Sequence, residues 1–174
     1  SWTLLVSALP QGTHEFTAAG RDYVGNESGE SDAVLFTVDQ TPPAIPTLTG
    51  LSDDTGATGD FRTSDTTPTL SGTAEANATV TIRDGATVLG TALADSDGNW
   101  SYTTGTFSEG VHTITVKATD LAGRDSAYGD VQFVVIDTTA PNAPVITGFS
   151  DDSPPTGDGY TSDTTPTLSG TAEA

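Results

Sequence analysis

Acidic side chains are the residues of this sequence most able to do chemistry. The chain has 24 Asp and Glu against 5 Lys and Arg, a net charge of −19, two His, no Cys and no Met. Disulfides, thiolate metal sites and cysteine nucleophiles are thereby excluded. Carboxylates remain, and they can work as acid–base pairs or hold hard cations. The adjacent pair Asp53–Asp54 is the sharpest case, and it returns as Asp151–Asp152. No nucleophile motif accompanies either pair, and recurrence along the chain suits an architectural role better than an active site. An enzyme is therefore not expected. The charge opposes nucleic acid and anionic membrane as partners, because both need basic surface. It favours divalent cations, or a polymer that must stay soluble. The longest apolar runs, such as VQFVVI at 131–136, are far too short to span a bilayer, so no direct membrane insertion is expected. No stretch reads as a signal peptide, and address signals, if any, are expected to lie outside this sequence.

These carboxylates recur because the sequence repeats. TSDTTPTLSGTAEA at 63–76 returns unchanged at 161–174, a shift of 98 positions. At the same shift Trp2 falls on Trp100, His14 on His112, Asp22 on Asp120 and Asp39 on Asp137. Such self-similarity marks a tandem array. Residues 1–38 read as the end of one repeat, 39–136 as a complete repeat, and 137–174 as the start of a third. A young duplication explains fourteen unchanged letters better than fold maintenance does, since strands tolerate conservative swaps.

The elements that must position the carboxylates are strands. Helical periodicity is absent, and short alternating runs are broken by turn residues every 8–12 positions. That pattern predicts an all-β fold of tandem, immunoglobulin-like, seven-strand antiparallel sandwiches. In the complete repeat the strands are expected near 45–50 (A), 68–74 (B), 78–83 (C), 87–93 (D), 99–104 (E), 111–118 (F) and 130–136 (G). Asp84–Gly85 supplies the turn between C and D. His112, Ile114, Val116 and Ala118 share one face of F, and Trp100 and Tyr102 share one of E. Both faces are read as inward. His112 and His14 are then strand-end caps with one ring nitrogen bonded to backbone, rather than metal ligands, and Trp100 is core rather than a sugar platform.

DTTAPNAPVITG, SDTTPTLSGTAEA, DSDGNWSYT and GVHTITVKATDLAG together resemble the bacterial immunoglobulin-like repeats of giant surface adhesins. These are the biofilm-associated and type I-secreted adhesins of Gram-negative bacteria. The resemblance covers the whole chain. It implies a calcium-stiffened extender rod at the bacterial cell surface, carrying a distant binding domain outward. The D-x-AGN motif usual in such repeats reads Asp120-Leu-Ala-Gly-Arg124 here and Asp22-Tyr-Val-Gly-Asn26 earlier. Arg124 departs from it at the fifth position.

Topology decides which carboxylates meet. A chain that alternates poles brings the BC, DE and FG loops back to the start of A. That pole gathers Asp39 of the linker, Glu75 of BC, Asp95 and Asp97 of DE, and Asp120 of FG. Unit charges ~4 Å apart repel by ~4 kcal/mol at an effective dielectric of ~20, so a cation is expected to join them. Calcium, with six to eight oxygen ligands, fits better than magnesium. At the other pole the AB loop brings Asp53, Asp54, Asp60 and Asp65 towards Asp137, and Asp151, Asp152, Asp158 and Asp163 repeat the set. The plain alternative is a solvated acidic loop in which Asp65 makes an Asx turn. DSDGN at 95–99 lacks the Gly and Glu of an EF-hand.

The linkers DQTPPAIP (39–46) and DTTAPNAP (137–144) are stiffened by proline. The expected function is a structural spacer whose partners are the neighbouring repeats, with lateral self-association as a further contact. Two alternatives stand beside it. One is a module that binds a glycan or a host protein; the other is a subunit of an extracellular fibre.

Overall fold

The computed structural model describes residues 1–55, 57–150, 157 and 159–173. Its strands are, in chain order, Gly12–Phe16 (β1), Val34–Val38 (β2), Thr47–Leu51 (β3), Arg62–Thr63 (β4), Thr69–Thr73 (β5), Thr79–Asp84 (β6), Thr87–Leu93 (β7), Asn99–Thr103 (β8), Gly110–Thr119 (β9), Gln132–Ile136 (β10), Val145–Phe149 (β11) and Leu168–Thr171 (β12). The chain divides into two compact units, 1–137 and 138–174.

Within the first unit, one sheet has the order β4-β10-β9-β6-β7 and the other β3-β5-β8. β5 runs antiparallel to both neighbours, and β9 lies antiparallel between β10 and β6. This is the two-sheet immunoglobulin-like sandwich that the alternation predicts. β7 spans the expected residues, and the other six strands agree to within two residues at either end. The strand β4, inside the acidic AB loop, is unanticipated. It pairs in parallel with β10, so the chain crosses from one sheet to the other between β3 and β5. Phe61 makes the crossing possible: it is buried, sits at φ 58°, and its carbonyl accepts the Val135 N–H.

The core forms where the alternating faces meet. Leu70 of β5, Val80 and Ile82 of β6, Ile114 of β9 and Val134 of β10 are all 0 % exposed. Each contributes about 1.5–3 kcal/mol by leaving water. Trp100 fills the centre and donates its indole N–H to the Thr47 carbonyl (3.2 Å). Tyr102 packs against the core and donates to the Leu89 carbonyl (2.7 Å). Both are therefore core residues, as their phase on β8 implies. Gly72 permits this packing: a Cβ there would collide with the Thr47 carbonyl and lie 2.9 Å from Trp100 Cζ2.

The remaining strands form two separate hairpins. β1 pairs with β2, and β11 with β12. Residues 1–5, which the shift of 98 lays on strand E, form no strand. In the complete repeat β8 is held by β5, and residues 1–38 contain no counterpart of β5.

Candidate functional site

One loop design serves three places in the first unit. In Asp22–Asn26, Asp95–Asn99 and Asp120–Arg124, the first N–H donates to the fifth carbonyl at 2.9, 2.9 and 3.0 Å. The fourth residue is Gly25, Gly98 or Gly123, each at positive φ. The leading Asp then receives backbone N–H groups of its own loop. Asp22 Oδ1 accepts from Val24 (3.0 Å) and Asn26 (2.8 Å), and Asp95 Oδ1 from Asp97 (2.9 Å) and Asn99 (2.8 Å). The side-chain amide of the fifth residue reaches the other oxygen, at 2.8 Å for Asn26–Asp22 and 3.5 Å for Asn99–Asp95. These bonds favour the carboxylate form. The Asn26 side chain holds Asp22 below the usual range, and the Asn99 N–H does the same for Asp95.

Asp120 differs. Its Oδ1 accepts the Arg124 N–H (2.8 Å), but Arg124 brings no amide to the second oxygen. Asp120 is 8 % exposed, and its Oδ2 is buried without a hydrogen-bond partner. A bare, buried carboxylate oxygen is costly unless a proton or cation reaches it.

The expected N-terminal pole assembles as follows. The BC and DE loops meet, with Ala74 N–H on the Gly98 carbonyl (2.8 Å) and Asn77 N–H on that of Asp95 (3.3 Å). Asp39 shares with Thr37, Leu121 and Ala122 a cavity of about 370 Å³, which puts the linker beside the FG loop. Its Oδ1 accepts the Thr41 N–H (3.0 Å). Glu75 and Asp97 are exposed.

At the other pole Thr63, 2 % exposed, is the hub. Its hydroxyl donates to the Asp53 carbonyl (2.6 Å) and accepts the Asp65 N–H (2.9 Å), and its carbonyl accepts the Asp137 N–H (2.9 Å). Asp53, Asp65 and Asp137 thus converge through their backbones. Asp65 Oδ1 accepts from the Thr67 N–H (2.8 Å) and hydroxyl (3.1 Å), which is the Asx turn. Asp60 Oδ1 accepts the Arg62 N–H (3.0 Å). Asp54 accepts the Gly59 N–H on Oδ2, while its Oδ1 is buried without a partner. Asp163 repeats the Asp65 turn onto Thr165. Asp151, Asp152 and Asp158 lie outside the described residues.

Among the described residues no three His, Asp or Glu side chains come together in a group that could hold a metal ion. The physical reason is local: most of these carboxylates are spent on their own loops. Among the described residues, the buried carboxylate oxygens without a partner are single ones, at Asp54 and Asp120.

A further ionic contact escaped the sequence reading. His112 was expected to use one ring nitrogen and uses two. Nδ1 meets Asp84 Oδ2 at 2.7 Å and Nε2 meets the Ser108 carbonyl at 3.0 Å. Phe107 stacks on the ring at 4.1 Å. Both polar partners are acceptors, so only the doubly protonated ring satisfies the arrangement in full. Burial pulls its pKa down, but the Asp84 and Ser108 hydrogen bonds and the Asp84 charge outweigh it and raise the value. Asp84 Oδ1 also accepts the Thr113 N–H (2.8 Å). His14 does match the expectation, with Nε2 at 2.8 Å from the Pro10 carbonyl.

The two-sheet fold and its end-loaded loops define an immunoglobulin-like module. The family model for the bacterial Ig-like domain matches residues 41–138, more than half the chain and nearly the repeat phased at 39–136. The chain therefore belongs to the bacterial Ig-like domain family. Domains of this family are common in bacterial surface proteins and are typically structural or binding modules rather than enzymes. No curated protein matches the chain.

Proposed function

We propose that the chain is a run of structural extender repeats from a calcium-stiffened bacterial surface adhesin, working in cell adhesion and biofilm. The observation that carries this reading is the buried, unpartnered Oδ2 of Asp120, in the FG loop beside the linker that begins at Asp39. A spacer needs its junctions to resist bending, and a cation on that oxygen would tie loop to linker. The donor chemistry suits calcium: oxygen ligands only, and the bare oxygens are carboxylate. Asp120 and Asp39 would hold an ion at one pole. Asp54, with the backbone around Thr63 and Asp137, would hold one at the other. With no acidic trio at either place among the described residues, backbone carbonyls and water would complete the shell. Sites built this way are weak, in the range of about 10⁻⁴–10⁻³ M typical of extracellular modules. Such sites fill outside a cell and stay empty within it, which keeps an array pliable for export and stiffens it on arrival.

Calorimetric titration of calcium into the chain tests this. Saturable binding in that range, weakened by Asp120→Asn, supports the reading. Heats unchanged by Asp120→Asn, or no binding at several millimolar calcium, remove Asp120 as a ligand.

A further inference from the structure

The chain's five cations are scarce enough to be followed one by one, and two of them share one aromatic ring. The Arg83 guanidinium lies 4.8 Å from the centroid of the Tyr128 ring, and Lys117 Nζ lies 5.7 Å from it. Lys117 is neutralised by Asp125 (2.7 Å). Arg83 is not: among the described residues no carboxylate pairs with it, and its Nε is buried without an acceptor. Arg62 and Arg124 also lack a paired carboxylate among the described residues, but both are exposed, whereas Arg83 is half-buried. Tyr128 is 39 % exposed, so the ring is still open to solvent.

The ground around this group is the outer face of the five-stranded sheet. Buried Val80, Ile82, Ile114 and Val116 alternate with outward Thr79, Thr81, Thr113 and Thr115. Cross-strand pairing sets Thr115 opposite Arg83, and Thr81 opposite both Lys117 and Thr91. The face is thus rich in hydroxyls around a guanidinium, an aromatic ring and an ammonium.

We propose that this face, at Arg83, Tyr128 and Lys117, binds a sugar bearing one carboxylate on an otherwise neutral glycan. The guanidinium takes a carboxylate through two parallel N–H bonds. The ring offers an apolar surface to the sugar's C–H face, and the threonines exchange hydrogen bonds with its hydroxyls. The charge of −19 supplies selectivity. A polyanion is repelled by the rest of the molecule, whereas a lone carboxylate meets only the local field within a Debye length of ~8–10 Å. The site belongs to this repeat and not to the fold as such. At the shift of 98, Lys117, Asp125 and Tyr128 fall on Ala19, Glu27 and Glu30, none of which is cationic or aromatic. The inference is independent of calcium.

The test is an amide-resolved NMR titration of the full chain with sialyllactose, lactose and an oligogalacturonate. Saturable shifts at Arg83, Lys117 and Tyr128 with millimolar sialyllactose are expected, about tenfold weaker with lactose and absent with the oligouronate. Arg83→Gln and Tyr128→Glu, the latter borrowing the first repeat's residue, each reduce sialyllactose affinity about tenfold or more while core amides keep their positions. Equal response to lactose, no response to any sugar, or undiminished affinity in Arg83→Gln overturns the proposal. Tight binding of the oligouronate overturns its selectivity. Should Arg83→Gln fail to fold, the three ligands on the unmodified chain and Tyr128→Glu still decide.

Discussion

Replacing Arg124 by Asn should stabilise the first unit, and more so without calcium than with it. Three copies of one loop differ at the fifth residue. Asn26 and Asn99 bring a side-chain amide to the second oxygen of Asp22 and Asp95, at 2.8 and 3.5 Å. Arg124 brings none, and Asp120 Oδ2 is left bare. A hydrogen bond to a charged group is worth about 1.5–3 kcal/mol when well formed. The spread from 2.8 to 3.5 Å shows that this loop does not always achieve good geometry. Losing one cation from a chain of charge −19 also works against the gain. A net stabilisation of about 1 kcal/mol is expected, or roughly 4–8 °C in melting temperature for a domain of this size. The assay is thermal unfolding of the full chain and of Arg124→Asn, in chelator and in millimolar calcium. In chelator the variant melts higher. In calcium the difference shrinks, because the ion already occupies the oxygen that the amide would take. A variant that is no more stable in chelator refutes the loop comparison. A gain that persists unchanged in calcium refutes Asp120 as a ligand.

Two further outcomes follow from contacts in the sandwich. His112 has a folded pKa above its ordinary 6.5, so its contribution is complete below that value and is lost as pH rises through the folded pKa. Melting temperatures measured from about pH 5 to 9 should therefore fall over that rise for the unmodified chain, and should do so less for His112→Gln. Gly72→Ala should cost about 3 kcal/mol or more in urea unfolding, because its Cβ meets the Thr47 carbonyl and Trp100 rather than a flexible side-chain end; a mild effect would mean that β3 and β5 can part easily.

The strands were legible because alternation and turn residues coincide. β7 was readable to the residue, since Asp84–Gly85 fixes its start and an uninterrupted run follows. β4 was hidden because two residues carry no periodicity, and its partner β10 lies some seventy residues away. The one signal was Phe61, a lone aromatic in an acidic loop. β10 starts two residues later than its alternation suggests, and before it Ser126 and Gly129 bond to β9 without regular pairing. The sites were less legible. Asp95 reads as a ligand by charge, yet its loop consumes both of its oxygens. That was visible only by aligning DSDGN with DYVGN and DLAGR. The second partner of His112 could not be read at all, because Asp84 reaches it across neighbouring strands. Bare oxygens such as Asp120 Oδ2 depend on which donors are missing, and sequence does not display a missing donor.

Whether calcium sets the stiffness of this array can be decided by small-angle scattering on a chain holding two or more complete repeats, in calcium and in chelator. A larger maximum dimension is expected in calcium, with growth at the affected junction blunted by Asp39→Ala or Asp120→Ala. A scattering profile and melting temperature that are the same in both solutions would contradict it and leave the acidic loops as solvated surface.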